Sequence, residues 1–222
     1  SIFFYAENEI YSINSKKIII CAGGIETCLL IINSIKDKKL KNLQNKKFIG
    51  RYFMDHPKCY VGEIKFPKEH LIKYFKLKNK KNFYTYKGLS LFQKKYRTLN
   101  TYVRFEEKKG FLRFRKKIFI KIFLEMEPKF KNRIYIKNNT GNISLSISKK
   151  EIEMSKKLLN HIKNIFSFKP NLEKLDFKVS DLVDASHHIG GLTYPKVVNK
   201  NLKIQGLKNI FCCSSAIFPT SG

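Results

Sequence analysis

The chain has 222 residues, 43% of them hydrophobic and 14% aromatic, which is enough to bury a core and excludes a disordered or low-complexity polypeptide. Its formal net charge of +28 raises a nucleic-acid reading, because clustered cations neutralise phosphates. The basic residues are almost all Lys, however, and are spread along the chain among Ile and Asn that are likewise over-used, as A/T-rich codon usage produces, which argues against a dedicated polyanion surface.

No apolar run reaches the length of a membrane span, and no signal peptide is visible. Cys21, Cys28, Cys59, Cys212 and Cys213 form neither a paired framework nor a Cys-x-x-Cys metal pattern, and a bridge between the neighbours Cys212 and Cys213 would need a strained link. We read all five as reduced, mostly buried thiols, which points to a cytoplasmic protein.

The chain enters directly on strand-like runs with no initiator Met, as expected of a piece of a longer polypeptide. "EIYSINSKKIIICAGGIETCLLIINS" at 9–34 first alternates, then gives an apolar strand from Ile18 to Cys21, then Gly23 and Gly24, then an apolar helical run. A strand, tight turn and helix in this order let backbone N–H groups and a helix N-terminus approach a phosphate, although two glycines alone more often mark a plain strand-to-helix connection. "NKKFIGRYFMDHPK" at 45–58 predicts an ordered loop, with Pro57 holding His56 extended. Asp55 beside His56 reads as a structural cap or pair, or as a group positioned near a cofactor, and not as a catalytic base.

From Cys59 to about Phe177, "KCYVGEIKF", "NFYTYKGLSLF", "LNTYVRFEE", "IFIKIFLEMEP" and "NRIYIKNN" are successive alternating or β-rich runs, which predict an antiparallel sheet. "RFRKKIFIK" at 113–121 alternates like a strand with one solvated face, and "NNTGN" at 138–142 supplies the turn into "ISLSIS". An amphipathic helix follows over 149–168, with Ile152, Leu158, Leu159, Ile162 and Phe166 on its apolar face. The Tyr and Phe residues of this lobe read as core.

In the tail, "VSDLVDASHHIGGLTYP" and a strand-like "KVVNKNLKIQGLKNIFCCSS" lead to "AIFPTSG". His187 and His188 precede Gly190 and Gly191, whose freedom of backbone angle permits close approach to a flat ligand. Imidazole accepts and releases a proton near neutrality, so a histidine held there suits removal of a hydroxyl proton. Adjacent histidines on a strand do not readily aim at one ion, and no further ligands stand at metal spacing, so acid–base work or cofactor contact is favoured over a metal site.

"IIICAGGIETCLLIINS", "GRYFMDHP", "EMEPKFKNRIYI", "SHHIGG" and "LKIQGLKNIFCCSSAIFPTSG", taken in this order, resemble the C-terminal portion of the glucose–methanol–choline (GMC) flavoprotein oxidoreductases. The resemblance is strong over 18–57 and 184–222 and weak between them. It implies an FAD-dependent enzyme that oxidises the CH–OH group of an alcohol, such as a sugar or polyol. The family's catalytic histidine, three residues before a glycine, maps onto His187 with Gly190, and His188 then flanks the flavin or packs. The family's Ala-Gly-Gly turn maps onto Ala22, Gly23 and Gly24, its Gly-Arg-x-x-x-Asp-His-Pro loop onto Gly50 to Pro57, and its C-terminal flavin-contacting turn onto Ser214, Ser215 and Ala216, followed by Pro219 and Thr220. Gly191 stands where a Thr is usual and Ser214 where a Gly is common. The family's Gly-x-Gly-x-x-Gly fingerprint and the partner of its catalytic histidine have no counterpart within 1–222, which implies that this stretch alone holds FAD weakly or not at all.

The expected fold is therefore α+β: an incomplete Rossmann-like, FAD-binding α/β part built from 1–58 and 179–222, the latter carrying the catalytic segment, and an antiparallel substrate lobe with a helix over 59–178. The partner implied is a small-molecule alcohol or sugar, with no specific nucleic acid. The alternative from another class is a non-catalytic remnant or a basic binding module.

Overall fold

The computed structural model describes residues 2–64, 75–77, 83–86, 94–95, 101–108, 117–165 and 177–221. Its secondary structure is a mixture of helix and mostly antiparallel sheet, hence α+β, in two compact units whose segments interleave along the chain.

One unit comprises Ser1–Met54, Pro128–Leu145 and His188–Thr220. Strands β1 (Ile2–Ala6) and β2 (Glu9–Ile13) form a hairpin. Its two turn residues, Glu7 and Asn8, sit at φ of 49° and 66°, the left-handed pair that matches the twist of the flanking strands. Strand β3 (Ile18–Ile20) pairs in parallel with β13 (Ile210–Cys212) and runs through Cys21 and Ala22 into helix α1 (Gly23–Lys36). Helix α1 buries Gly24, Thr27, Cys28 and Ile31, the i, i+3, i+4, i+7 stripe of one helical face. That face packs with Ile134, Leu192, Val198 and Ile204 in the core of this unit.

The same unit holds a four-stranded sheet in the order β11-β10-β4-β12, from β4 (Arg51–Met54), β10 (Arg133–Lys137), β11 (Thr140–Ser144) and β12 (Ile189–Gly191). Two sequence expectations change here. The stretch before Asp55, expected as loop, contains β4, because Met54 and Arg51 pair with Ile189 and Gly191 of β12 on one side and the Phe53 amide donates to the Asn132 carbonyl at 3.2 Å. "NRIYIKNN", expected in the same sheet as the runs before it, joins β4 instead, through the Ile134 amide on the Gly50 carbonyl at 2.8 Å. Asn138 and Asn139, at φ of 51° and 57°, make the β10–β11 turn, and strand resumes at Thr140. Within 196–215 the regular strand is limited to β13, with bridges Val198 to Ile204 and Lys203 to Phe211 beside it.

The other unit comprises Asp55–Glu127, Ser146–His187 and Ser221–Gly222. An antiparallel sheet runs in the order β5-β9-β8-β7-β6, from β5 (Lys58–Ile64), β6 (Phe75–Leu77), β7 (Phe83–Tyr86), β8 (Tyr102–Lys108) and β9 (Lys117–Phe123). Strict alternation sends Val103, Phe105, Ile120 and Ile122 to one face, where helix α2 (Lys149–Ile165) lays down Leu158, Leu159 and Ile162. Ile152 packs at the margin of that cluster, while Phe166 and residues 113–116 lie outside the described residues. Ser148 and Glu151 form a reciprocal cap at the start of α2: the Ser148 amide and hydroxyl donate to the Glu151 carboxylate, and the Glu151 amide donates to Ser148 Oγ. Among the described residues no helix is long and apolar enough to cross a membrane.

Candidate functional site

In the sheet-and-helix unit, His187 is fixed through its backbone. The Asp55 carboxylate, only 3% exposed, accepts from the His187 amide at 3.0 Å through Oδ1 and from the buried Ala185 amide at 3.1 Å through Oδ2. Ser186 between them sits at φ 59°, and its amide donates to Asp184 Oδ1 at 2.7 Å, so the segment turns sharply on two carboxylates. The His187 ring is exposed; it lies nearly parallel to Phe123 at 6.4 Å and edge-on to His56 at 5.7 Å. The backbone of His187 is thus held in place while its imidazole stays open to solvent.

His56 is arranged differently. Its Nδ1 meets the Leu124 carbonyl at 3.2 Å and its Nε2 the Ser221 carbonyl at 2.9 Å, so both ring nitrogens are engaged by backbone. Its ring is fixed by these two contacts and stands edge-on to that of His187.

No residue of the lobe stood out in the sequence as a site candidate; the structure places a group of aromatic and charged side chains around Phe123, the ring that His187 faces. On the sheet face opposite the core, Tyr102, Arg104 and Glu106 on β8 stand beside Phe119, Lys121 and Phe123 on β9. The Arg104 guanidinium lies 4.8 Å from the Phe123 ring centre and 5.9 Å from that of Tyr102, and Arg104 Nη1 reaches Glu106 Oε1 at 3.4 Å. The signal was present in the alternation of "TYVRFEE", whose polar and aromatic members fall on one face; that this face, and not the other, carries His187 is set by tertiary contact.

In the other unit, Ala22 begins α1 at φ −86° with no side-chain cap, and Ala22 and Gly23 are exposed. The first amides of a helix have no intrahelical acceptor and attract anions. Gly23 has φ +76°, and a Cβ there would meet nothing within 4 Å, so the turn is open. Gly24 is buried, and a Cβ would lie 2.5 Å from the His188 carbonyl, so the helix start packs directly on the histidine backbone. That carbonyl accepts from Ser215 Oγ at 2.6 Å, which joins Gly24, His188 and Ser215 in one cluster. The His188 ring leans on Phe53 at 5.9 Å.

Gly190 and Gly191, expected to allow close approach of a flat ligand, are engaged by the protein's own packing. Gly190, at φ +85°, lets β12 approach the Tyr52 carbonyl of β4, and Gly191, at φ +99°, faces the Cys28 thiol of α1. Their close approach is to the protein's own backbone and side chains. Ser214 Oγ accepts from the Ala216 amide at 3.3 Å, and the Ala216 carbonyl accepts from the Leu192 amide at 2.9 Å, so buried Ala216 has both backbone groups engaged; Pro219 and Thr220 are exposed.

Burial sets the chemistry of the inner thiols. It pushes Cys59 up to about 12, with the Asp181 charge adding to the effect, and it raises Cys28 further still, with Cys212 adding. Cys212 is also raised by burial, against the pull of its Ser214 hydrogen bond. These thiols stay protonated and inert as nucleophiles.

No family model and no curated protein matches the sequence. Solved structures do match the fold. Pyridoxine 4-oxidase from Mesorbium loti superposes at a TM-score of 0.62 with 11% identity over 98% of this chain and 50% of its own. A formate oxidase follows at 0.61 with 10% identity over 92% of this chain and 50% of its own. A variant of the Aspergillus oryzae RIB40 formate oxidase, described for its effect on FAD modification, gives 0.58 with 12% identity over 92% and 50%. At such identities the likeness is one of fold, and this chain spans about half the length of the oxidases it matches; its architecture is of the kind found in these oxidases.

Proposed function

We propose that the chain is part of a GMC-type FAD-dependent oxidoreductase acting on the CH–OH group of an alcohol, a sugar or polyol among them. The observation that carries this reading is the pairing of a backbone-clamped, exposed His187 with an oxidase-like fold. In this reading the unit containing α1 is the cofactor side, Rossmann-like in its parallel β3–β13 pair, and the unit containing the five-stranded sheet is the substrate side.

FAD suits the residues present. The uncapped amides at Ala22 and Gly23 and the open space over Gly23 offer a place for an anionic or carbonyl-rich part of the cofactor. The His188 backbone packs on that turn at Gly24 and accepts from Ser215 Oγ; Gly190, Ser214 and Ala216 lie next to these residues in the chain, with Pro219 and Thr220 exposed beyond. FAD, when bound, supplies the hydride acceptor. The protein's own step falls to His187: its free ring nitrogen takes the hydroxyl proton of the substrate, while Asp55 fixes the histidine backbone and Phe123 and His56 limit the ring's swing. Tyr102 and Arg104 offer an apolar and a cationic contact for the substrate body.

The test is anaerobic single-turnover reduction of the flavin-loaded protein by a panel of alcohols. His187→Ala is expected to slow reduction by about 10²–10⁴-fold, the usual range for a lost acid–base group, with flavin content unchanged. Reduction at the unaltered rate would remove His187 from its role, and absence of flavin from the purified parent protein would remove the cofactor assignment. A salt-sensitive complex with nucleic acid and no flavin would instead favour a basic binding module.

A further inference from the structure

Cys21 and Cys213 are both exposed free thiols, each one residue past the end of a strand of the parallel pair β3–β13. The ladder fixes how they face each other. Cys212 is registered with Ile20, and the Cys213 amide donates to the Ile20 carbonyl at 2.9 Å. In a parallel ladder an amide donates to the carbonyl preceding its partner, so this bond continues the register and sets Cys213 opposite Cys21.

Neighbouring strands lie about 4.8 Å apart, and opposed residues send their side chains to the same face. That separation falls inside the Cα span of about 4.4–6.8 Å that a disulfide accepts. Ile20 and Cys212 form the buried face of the pair, so the next residue on each strand turns to the open face, where both thiols stand. Cys21 and Cys213, when ionised, both raise the Cys212 thiol, which is consistent with their sharing one neighbourhood. The competing partners are poorly placed: Cys28 and Cys212 are both 0% exposed, and a bridge between Cys212 and Cys213 would be strained.

We propose that Cys21 and Cys213 form a reversible disulfide that ties the strand-to-helix turn to the C-terminal turn. The oxidant is a hydroperoxide. With hydrogen peroxide, one thiolate attacks a peroxide oxygen, giving a sulfenic acid and one water; the second thiolate then displaces the sulfenic oxygen as a second water and closes the S–S bond. The pair has lost two electrons and two protons, and the peroxide has become two waters. Ala22 to Gly24 follow Cys21 directly, and Ser214 to Ala216 follow Cys213 directly, so the bond clamps the two turns assigned to the flavin. The bond itself does not rest on that assignment.

The test is treatment of the purified protein with excess hydrogen peroxide, alkylation of the remaining thiols, tryptic digestion and mass spectrometry without reduction. The expected product joins peptide 18–36 to peptide 209–222 with the loss of two hydrogens, and it disappears on reduction. It vanishes in Cys21→Ser and in Cys213→Ser and persists in Cys28→Ala and Cys212→Ala, which separates the pair from its neighbours in the same peptides. No cross-linked peptide, a bridge within 209–222, disulfide-linked dimers as the main product, or a link that survives Cys21→Ser would each overturn the proposal. The readout needs no flavin, so its failure is distinct from failure of the flavin reading.

Discussion

Replacing Asp55 tests how the His187 segment is held. The carboxylate accepts from two amides, at 3.1 Å from Ala185 and 3.0 Å from His187, in a site where only 3% of the aspartate is exposed. Hydrogen bonds to a charged group contribute about 1.5–3 kcal/mol each. The Ala185 amide is buried and keeps no partner when the acceptor is removed, so its loss counts almost in full; that of exposed His187 is offset in part by water. Asp55→Ala is therefore expected to destabilise the fold by about 3–4 kcal/mol, and Asp55→Asn, which keeps one neutral acceptor and turns a donor toward the other amide, by about 2–3 kcal/mol. Urea unfolding followed by circular dichroism gives the stability change, and hydrogen exchange shows whether the amides of 185 and 187 open first. Asp184→Asn, at an exposed turn bond, is the control and is expected to cost less than about 1 kcal/mol. Stability within about 0.5 kcal/mol of the parent for both Asp55 variants, or unchanged exchange at those amides, would refute the clamp.

Other substitutions probe the elements around the site. Gly190→Ala places a Cβ against the Tyr52 carbonyl at φ +85°, and backbone strain alone costs about 1–3 kcal/mol, so thermal unfolding should show a loss of at least that size. Glu151→Gln weakens the acceptor for the Ser148 and Glu127 amides at the start of α2 and is expected to cost about 1–2 kcal/mol in denaturant titration. The buried Cys28 and Cys59 thiols are raised by folding, so their contribution is fully present below the unfolded thiol pKa near 9 and is lost as pH climbs toward the folded values. Unfolding free energy should fall above that pH by about 1.4 kcal/mol per pH unit for each thiol, and Cys59→Ala should make the decline shallower; a flat profile between pH 9 and 11 would contradict the burial of these groups.

Periodicity alone determined much of this chain. The strand at Ile18, the glycine turn and the helix after it, the alternating runs of β5, β8 and β9, and the amphipathic α2 were legible because burial of one face imposes a period of 2 or 3.6 on the residues that meet it. The two histidines before Gly190 stood out in the sequence as candidates for chemistry, and Asp55 beside His56 was legible as a structural partner. Tertiary structure alone decided which partners those residues meet. "RYFM" became strand because β12 and β10 supply its hydrogen bonds from residues more than 75 positions away, and no local pattern records that. Gly190 and Gly191 were read as room for a ligand, while the fold uses them to bring β12 against Tyr52 and Cys28. Cys21 and Cys213, 192 positions apart, became neighbours through the register of a parallel ladder. Sequence pattern reports what each residue needs from its surroundings; only the closed chain determines which distant atoms provide it.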